Sequence, residues 1–214
     1  TTVVGFTQLV TRRYASALEG EGARMMGRID RSARQMAHLI DDLLSLSRAS
    51  TAPLDIRPVD LVPLAREILD ELQDQDPGRR VRFDAPQSLR VRADRGLVRP
   101  LLANLLGNAW KFTGKRDDAS IRLSVDSAAP DAVVCIQDNG VGFDTDQAAL
   151  IFQPFQRFHT LSEFSGTGIG LTTCERIVHR HGGRIWLESK IGEGTSVFFT
   201  LSPVAETVSP KPGG

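Results

Sequence analysis

Cysteine is scarce. There are two among 214 residues, Cys135 and Cys174, with no Cys-x-x-Cys spacing. One lies in an apolar run and the other in a helical pattern, so both read as reduced core thiols rather than a disulfide framework. Net charge is missing as well. Lys plus Arg and Asp plus Glu each number 26, and the basic excess of a nucleic-acid binder is absent, so no nucleic-acid partner is expected. No apolar run is long enough to cross a bilayer and no signal peptide opens the sequence, so residues 1–214 are expected to make no membrane contact. No internal repeat is found. What is present is 41% hydrophobic, enough for one large domain or two small ones, each with its own core. The composition fits a cytoplasmic protein.

Residues 1–50 read as a helical hairpin. In its second helix Met26, Ile29, Ala33, Met36, Ile40, Leu43 and Ser47 alternate three and four apart, a mostly apolar heptad seam. Val3, Phe6, Val10, Tyr14 and Ala17 follow the rhythm less regularly in the first. The link Glu19-Gly20-Glu21-Gly22 is short, so the two helices are expected to pack antiparallel. Two such helices cannot bury both stripes against each other alone, and a second copy completing a four-helix bundle resolves this. A homodimer is therefore expected. A hairpin packed onto the following domain is the alternative.

Residues 51–59 form a linker with room for one edge strand, since Pro53 and Pro58 rule out a long helix. From 60 to 204 helices and strands alternate. Asp60 can cap a helix whose inward face is Leu61, Leu64, Ala65, Ile68, Leu69 and Leu72. Short strands are expected near Val81–Phe83 and Leu89–Val91, and a helix from about Arg95 to Phe112. Pro100 within that helix removes a donor and is expected to bend or restart it. Strands follow at Ile121–Val125 and Val133–Gln137, then a loop-rich stretch and a helix at 168–181 stopped by Gly182 and Gly183. Ile185–Glu188 and Thr195–Leu201 alternate apolar and polar, as strands do. The tail 205–214 is expected to be disordered.

Three short constellations carry chemistry. Asn104, Asn108 and Lys111 sit four and three apart on the helix ending at Phe112, away from its apolar stripe of Val98, Leu102, Leu105, Ala109 and Phe112. Two amides and an ammonium on one line suit a phosphate chain and its metal, because an amide oxygen is a hard ligand for Mg²⁺ and Lys neutralises phosphate. A plain solvated face would look the same. Asp138 follows the apolar run Ala132–Ile136 and leads into Asn139-Gly140-Val141-Gly142-Phe143. A carboxylate at the end of a buried strand needs a partner, and a purine amino group is one. Gly140 and Gly142 would let backbone approach a flat ring. A Gly-rich turn opened by Asp is the plainer alternative. Last, Gly166-Thr167-Gly168-Ile169-Gly170-Leu171 opens a helix, where bare N–H groups bind phosphate. No strand runs directly into it and no Gly-Lys-Ser/Thr follows, so it is neither a Rossmann fingerprint nor a P-loop.

In this order and spacing the three pieces resemble the nucleotide-binding boxes of the sensor histidine kinase family. Asn104–Phe112 is similar to the N box, Asp138–Phe143 to the G1 box and Gly166–Leu171 to the G2 box. Phe152-Gln153-Pro154-Phe155-Gln156-Arg157-Phe158 resembles the F box, which gyrase, Hsp90 and MutL relatives lack. His181–Trp186 and Gly192–Thr195 resemble the closing pattern. Phe6–Leu9 and Leu39–Leu44 look like the dimerisation domain of phytochrome-like kinases.

The resemblance implies an α+β chain: an N-terminal helical hairpin, then an α/β sandwich ATP-binding domain of the Bergerat, or GHKL, type. It implies ATP and Mg²⁺ as cofactors and a response-regulator receiver domain as partner. Asp138 would accept the adenine amino group, Asn108 would hold Mg²⁺ with Asn104 beside it, and Lys111 would contact phosphate. Gly140, Gly142 and Phe155 would line the site. Gly166, Thr167, Gly168, Gly170 and Leu171 would lie at the phosphates, with 157–167 as a mobile lid. Thr195 would support the base through a water. Phosphoryl transfer needs positioning and charge neutralisation, which such groups supply. In the family the phosphate-accepting histidine lies on the first dimerisation helix, followed by an acid residue. None of His38, His159, His179 and His181 has that neighbour, so the acceptor is expected upstream of Thr1. The four histidines read as structural, with His179 and His181 in a last helical turn where a cation suits the dipole. A non-catalytic dimeric nucleotide-binding module and a related ATPase are the competing functions.

Overall fold

The computed structural model describes residues 20–22, 24–29, 33, 53–126, 132–144, 151–152 and 169–201. Residues 21–22, 24–29 and 33 are helical, and the rest of the expected hairpin lies outside the described residues. So do the tail 205–214 and most of the loop-rich stretch.

Strand β1 (Ile56–Asp60) falls in the span read as a linker, where one edge strand was expected. It pairs antiparallel with β3 (Arg90–Asp94), Val59 opposite Val91. Asp60 then starts helix α1 (Leu61–Gln75), accepting the Val62 N–H at 3.1 Å. The same carboxylate accepts the Leu89 N–H and the Ser88 hydroxyl, at 3.0 and 2.6 Å. One side chain thus caps a helix and fixes the entry to β3, and the Ser88 bond holds its carboxyl below the usual range. The apolar face of α1 (Leu61, Leu64, Ala65, Ile68 and Leu69, joined by Val62) is buried.

Asp94 caps helix α2 (Arg95–Phe112) through the Gly96 N–H at 2.8 Å. Pro100 does not restart this helix, which runs unbroken from Arg95 to Phe112; that half of the sequence expectation is not met. The proline lies near the capped start, and the turns after it are anchored by fully buried Leu101, Leu102 and Leu106. Burial of that apolar face outweighs the one lost backbone bond.

Five strands form the main sheet in the order β2-β4-β5-β7-β6. They are β2 (Arg82–Asp84), β4 (Ser120–Asp126), β5 (Val133–Asp138), β6 (Ile185–Lys190) and β7 (Gly194–Thr200). Only β2 and β4 run parallel; β4–β5, β5–β7 and β7–β6 are antiparallel. Helix α3 (Gly170–Arg180) precedes β6 and buries Thr173, Cys174, Ile177 and Val178. One face of the sheet meets the helices in a single core of Ile121, Leu123, Val134, Ile136 and Phe199 against Leu61, Leu102, Leu105 and Ile177. Both cysteines are free thiols. Among the described residues no helix is long and apolar enough to cross a membrane.

His181 corrects one expectation. It is buried, its Nδ1 donates to the Ile177 carbonyl at 2.8 Å, and its Nε2 accepts the Asp94 N–H at 3.0 Å. A ring that donates from one nitrogen and accepts at the other is neutral, not a cation on a helix dipole. Its role is structural, tying the end of α3 to the start of α2.

Candidate nucleotide site

Strand β5 ends on Asp138 because its alternation places Val134, Ile136 and Asp138 on the core face. Only 7% of Asp138 is exposed. Oδ1 accepts the Gly140 N–H at 2.8 Å, the Asx-type bond by which an aspartate turns the chain. Burial pushes the carboxyl up to about 6, while the Gly140 and Thr195 N–H groups pull it back. A buried carboxylate with one oxygen engaged by its own turn is suited to receive a further donor.

The loop after Asp138 is held from two sides. Val141 donates to the Phe112 carbonyl at 3.2 Å, on the last turn of α2. The Val141 carbonyl accepts the Gly192 N–H at 2.8 Å, and Phe143 donates to Ser189 Oγ at 3.0 Å. Both glycines of the loop are required by this docking. A Cβ on Gly140 would stand 2.7 Å from the Phe112 carbonyl, and one on Gly142, at φ +59°, would overlap the Lys190 carbonyl. Their first service is therefore to the protein's own backbone, whatever ring lies above them. Asn139 is a structural clamp as well: Oδ1 accepts the Ser120 N–H and Nδ2 donates to the Asp118 carbonyl, at 2.8 and 2.9 Å.

Helix α2 carries the polar face. Asn104, Asn108 and Lys111 are all half-buried. Lys111 Nζ lies 3.5 Å from Asn108 Oδ1 and 4.1 Å from the Phe112 ring centroid. Asn104 Nδ2 donates to the Pro100 carbonyl at 3.1 Å. A Cβ on Gly170 would fall 2.6 Å from Asn104 Oδ1, so the start of α3 abuts the amide face of α2. The N-cap residue of that start, Ile169, makes no side-chain capping bond, and the N–H groups of a helix's first turn suit an anion. Thr172 Oγ1 donates to the Phe152 carbonyl at 2.8 Å, tying α3 to the beginning of the F box.

The sequence-predicted residues thus converge on α2. The Asp138 loop docks at its C-terminal end, beside Lys111, and Gly170 meets Asn104 two turns earlier. Leu171 follows in the first turn of α3, and Thr195 sits opposite Asp138 across the β5–β7 pair. Phe155, Gly166, Thr167 and Gly168 lie outside the described residues. Sequence reasoning missed Ser189, Thr172 and Asn139. Nothing marks Ser189 within an alternating strand, and only the register brings it to Thr195.

Residues 93–205 match the family model described as histidine kinase-, DNA gyrase B-, and HSP90-like ATPase. The methanogenesis regulatory histidine kinase FilI of Methanothrix harundinacea (strain 6Ac) is 34% identical over 202 residues, covering 94% of this chain and 22% of that protein. The phytochrome-like protein Cph1 of Synechocystis sp. (strain ATCC 27184 / PCC 6803 / Kazusa) is 31% identical over 199 residues, covering 93% of this chain and 26% of that one. The chain spans about a quarter of the length of these curated relatives. Among solved structures, full-length ShkA in complex with AMPPNP superimposes with a TM-score of 0.66 at 25% identity, covering 92% of this chain and 41% of that one.

Proposed function

From the premise that this chain belongs to the histidine kinase-, DNA gyrase B-, and HSP90-like ATPases, we propose that it is the ATP-binding catalytic part of a protein-histidine kinase. The observation that carries the proposal is the convergence on α2: a buried carboxylate loop docks at one end of an amide-and-lysine face, and the N-terminus of α3 docks in its middle. Asp138 accepts the adenine amino group, and Lys111 and the first turn of α3 neutralise the phosphates. Thr195 supports the base.

The donor set of α2 fits Mg²⁺. Asn108 offers one neutral amide oxygen beside Lys111, and Mg²⁺ commonly takes one or two protein oxygens and fills its octahedron with phosphate and water. Asn108 would hold the ion, with Asn104 adjacent, and the bound metal would offset charge on the phosphates. The residues of the chain itself fix the nucleotide in place, so catalysis rests on positioning and electrostatics.

The phosphate would pass to a histidine on the dimerisation helix and from there to an aspartate of a response-regulator receiver domain in the cytoplasm. A homodimer follows from the heptad seam, and Ile29 on that seam is exposed in the single chain together with Met25.

The test is phosphorylation of a longer protein that includes the dimerisation histidine, with radiolabelled ATP, followed by transfer to a receiver domain. Acid-labile, base-stable label that Asp138→Asn abolishes is the expected result. Hydrolysis of ATP with no protein label would identify an ATPase instead, and binding without turnover a non-catalytic module.

A further inference from the structure

Helices α2 and α3 meet at both ends of α3. Gly170, its first residue, lies so close to Asn104 that a Cβ would stand 2.6 Å from the amide oxygen. His181, just past its last residue, accepts the Asp94 N–H at 3.0 Å. The two meeting points are separated by the step from 170 to 181 along α3 and from 104 back to 94 along α2. At a rise of 1.5 Å per residue both separations are about 15–17 Å. The order is reversed between the helices, so they lie antiparallel and are pinned at matching spacings.

Between the pins, Leu102 and Leu105 share the core with Cys174, Ile177 and Val178. Apolar packing is non-directional, so it holds the helices together without choosing how far one slides along the other. A hydrogen bond is directional, and the one at His181 is anchored on both sides. Asp94 Oδ1 accepts the Gly96 N–H at 2.8 Å, its Oδ2 accepts the Asp55 N–H at 3.1 Å, and the residue pairs with Ile56 across the β1–β3 ladder. His181 Nδ1 donates to the Ile177 carbonyl at 2.8 Å, which leaves Nε2 as the acceptor for Asp94. One bond thus refers the axial position of α3 to the start of α2.

Resting on the nucleotide-site reading above, we propose that His181 is a positioning residue for the phosphate side of the site: its bond to Asp94 sets where the first turn of α3 stands against Asn104, Asn108 and Lys111. Phosphates that bridge the two helices need both in place, and a misplacement on the order of 1 Å is costly. On that reading the base is held by the Asp138 loop and does not depend on this bond.

Two substitutions separate the bonds of the ring. A Gln side chain carries its amide oxygen to about the position of Nε2, and an Asn side chain carries its amide nitrogen to about the position of Nδ1. His181→Gln therefore keeps the acceptor for Asp94 and gives up the donor to Ile177, and His181→Asn does the reverse. The test is titration of the full chain with Mg·ATP by calorimetry and with adenosine by NMR chemical shifts. His181→Asn is expected to weaken ATP by about three- to tenfold, the scale of one hydrogen bond, and to leave adenosine within about twofold, while His181→Gln keeps both. No loss of ATP in His181→Asn, an equal loss in the two variants, or a loss that adenosine shares would mean that the ring only stabilises its own turn, and would overturn the inference. Should the asparagine variant not fold, hydrogen exchange of the unaltered chain decides. The Asp94 amide is expected to be slowed more by saturating ATP than by saturating adenosine, and equal rates reject the inference. Asp138→Asn is the control: if it leaves ATP and adenosine untouched, the site reading itself fails, whereas an effect of Asp138→Asn beside two matching His181 variants rejects this inference alone.

Discussion

Rows of paired residues cross the sheet on its helix-facing side. One row runs Val125, Val134, Phe199, Ile185, and the next runs Leu123, Ile136, Val197, Leu187. Every member is apolar. The third row begins the same way with Ile121 and then changes to Asp138, Thr195 and Ser189. The strands and the pairing do not change between rows; only the side chains do. In the first two rows burial, deepest at Val134, Phe199, Leu123 and Ile136, removes hydrocarbon from water and stabilises the fold. In the third, burial of a carboxylate works against the fold and is offset only in part by the Gly140 and Thr195 N–H groups. On the nucleotide-site reading proposed above, stability and binding are separated by one step of the strand repeat, about 7 Å.

The largest effect that could break this contrast lies in the first row. Phe199 is fully buried, and Phe199→Ala should cost about 3–5 kcal/mol. Urea titration should show the midpoint falling while ATP affinity, measured where the variant is still folded, stays within about twofold. A loss of affinity as large as the loss of stability would mean that the two rows are not separable.

Asp138→Asn should move the two quantities in opposite directions. In the folded chain the carboxyl is raised from 3.8 to about 6 by burial. The folded state therefore binds this proton more tightly than the unfolded state does. That contribution to stability is fully present below about pH 4 and is lost as pH rises through about 6, leaving a cost of about 3 kcal/mol at neutral pH. The amide removes the charge, so Asp138→Asn should raise the neutral-pH melting temperature and flatten the stability profile between pH 4 and 6. Adenine affinity should fall by about 1–3 kcal/mol, roughly 5- to 150-fold. In the unaltered chain ATP should bind more tightly as pH rises through 6, where the acceptor becomes ionised. Calorimetry and thermal melts across pH check both signs.

The apolar rows were legible in the sequence because alternation over Ile121–Val125, Val133–Gln137 and Thr195–Leu201 repeats with period two. Asp138 was legible for the same reason, as an acid at the end of an apolar run. Ser189 was not. It stands in its own strand as an ordinary serine, and its meaning arises only when the register sets it opposite Thr195. Asp60 shows the converse: its capping of α1 was readable locally, but its bonds to Ser88 and Leu89 depend on the return of β3. Pro100 did not restart its helix as one alternative had it, because its local penalty is fixed by backbone chemistry, while the burial of Leu101, Leu102 and Leu106 that outweighs it is tertiary. The crowding that requires glycine at 140 and 142 was not legible, since the backbone of Phe112 and Lys190 that produces it comes from distant segments.

A smaller effect sharpens the contrast from the phosphate side. Asn108→Ala should weaken Mg·ATP by about 1–2 kcal/mol, with a lesser effect on metal-free nucleotide. It should leave stability within about 0.5 kcal/mol, because the side chain is half-buried on a polar face. Titrations with Mg²⁺ and with EDTA separate the two cases. Equal losses in both would assign Asn108 to the phosphates directly and remove its metal role.

The smallest effect tests whether the hairpin tip belongs to the fold or to the site. Gly192 has φ +78° and open space around it, whereas Gly142 has φ +59° and a carbonyl where its Cβ would be. Gly192→Ala should therefore cost only the left-handed strain, about 1 kcal/mol. Its N–H, which holds the Val141 carbonyl at 2.8 Å, is kept by alanine, so ATP affinity should not change. Gly142→Ala meets the same strain and a backbone overlap, and should lose more in stability and in ATP affinity, since the Asp138 loop must shift to relieve it. If Gly192→Ala weakens ATP as much as Gly142→Ala does, the tip of the β6–β7 hairpin is part of the binding wall, which then reaches beyond the paired residues of the third row.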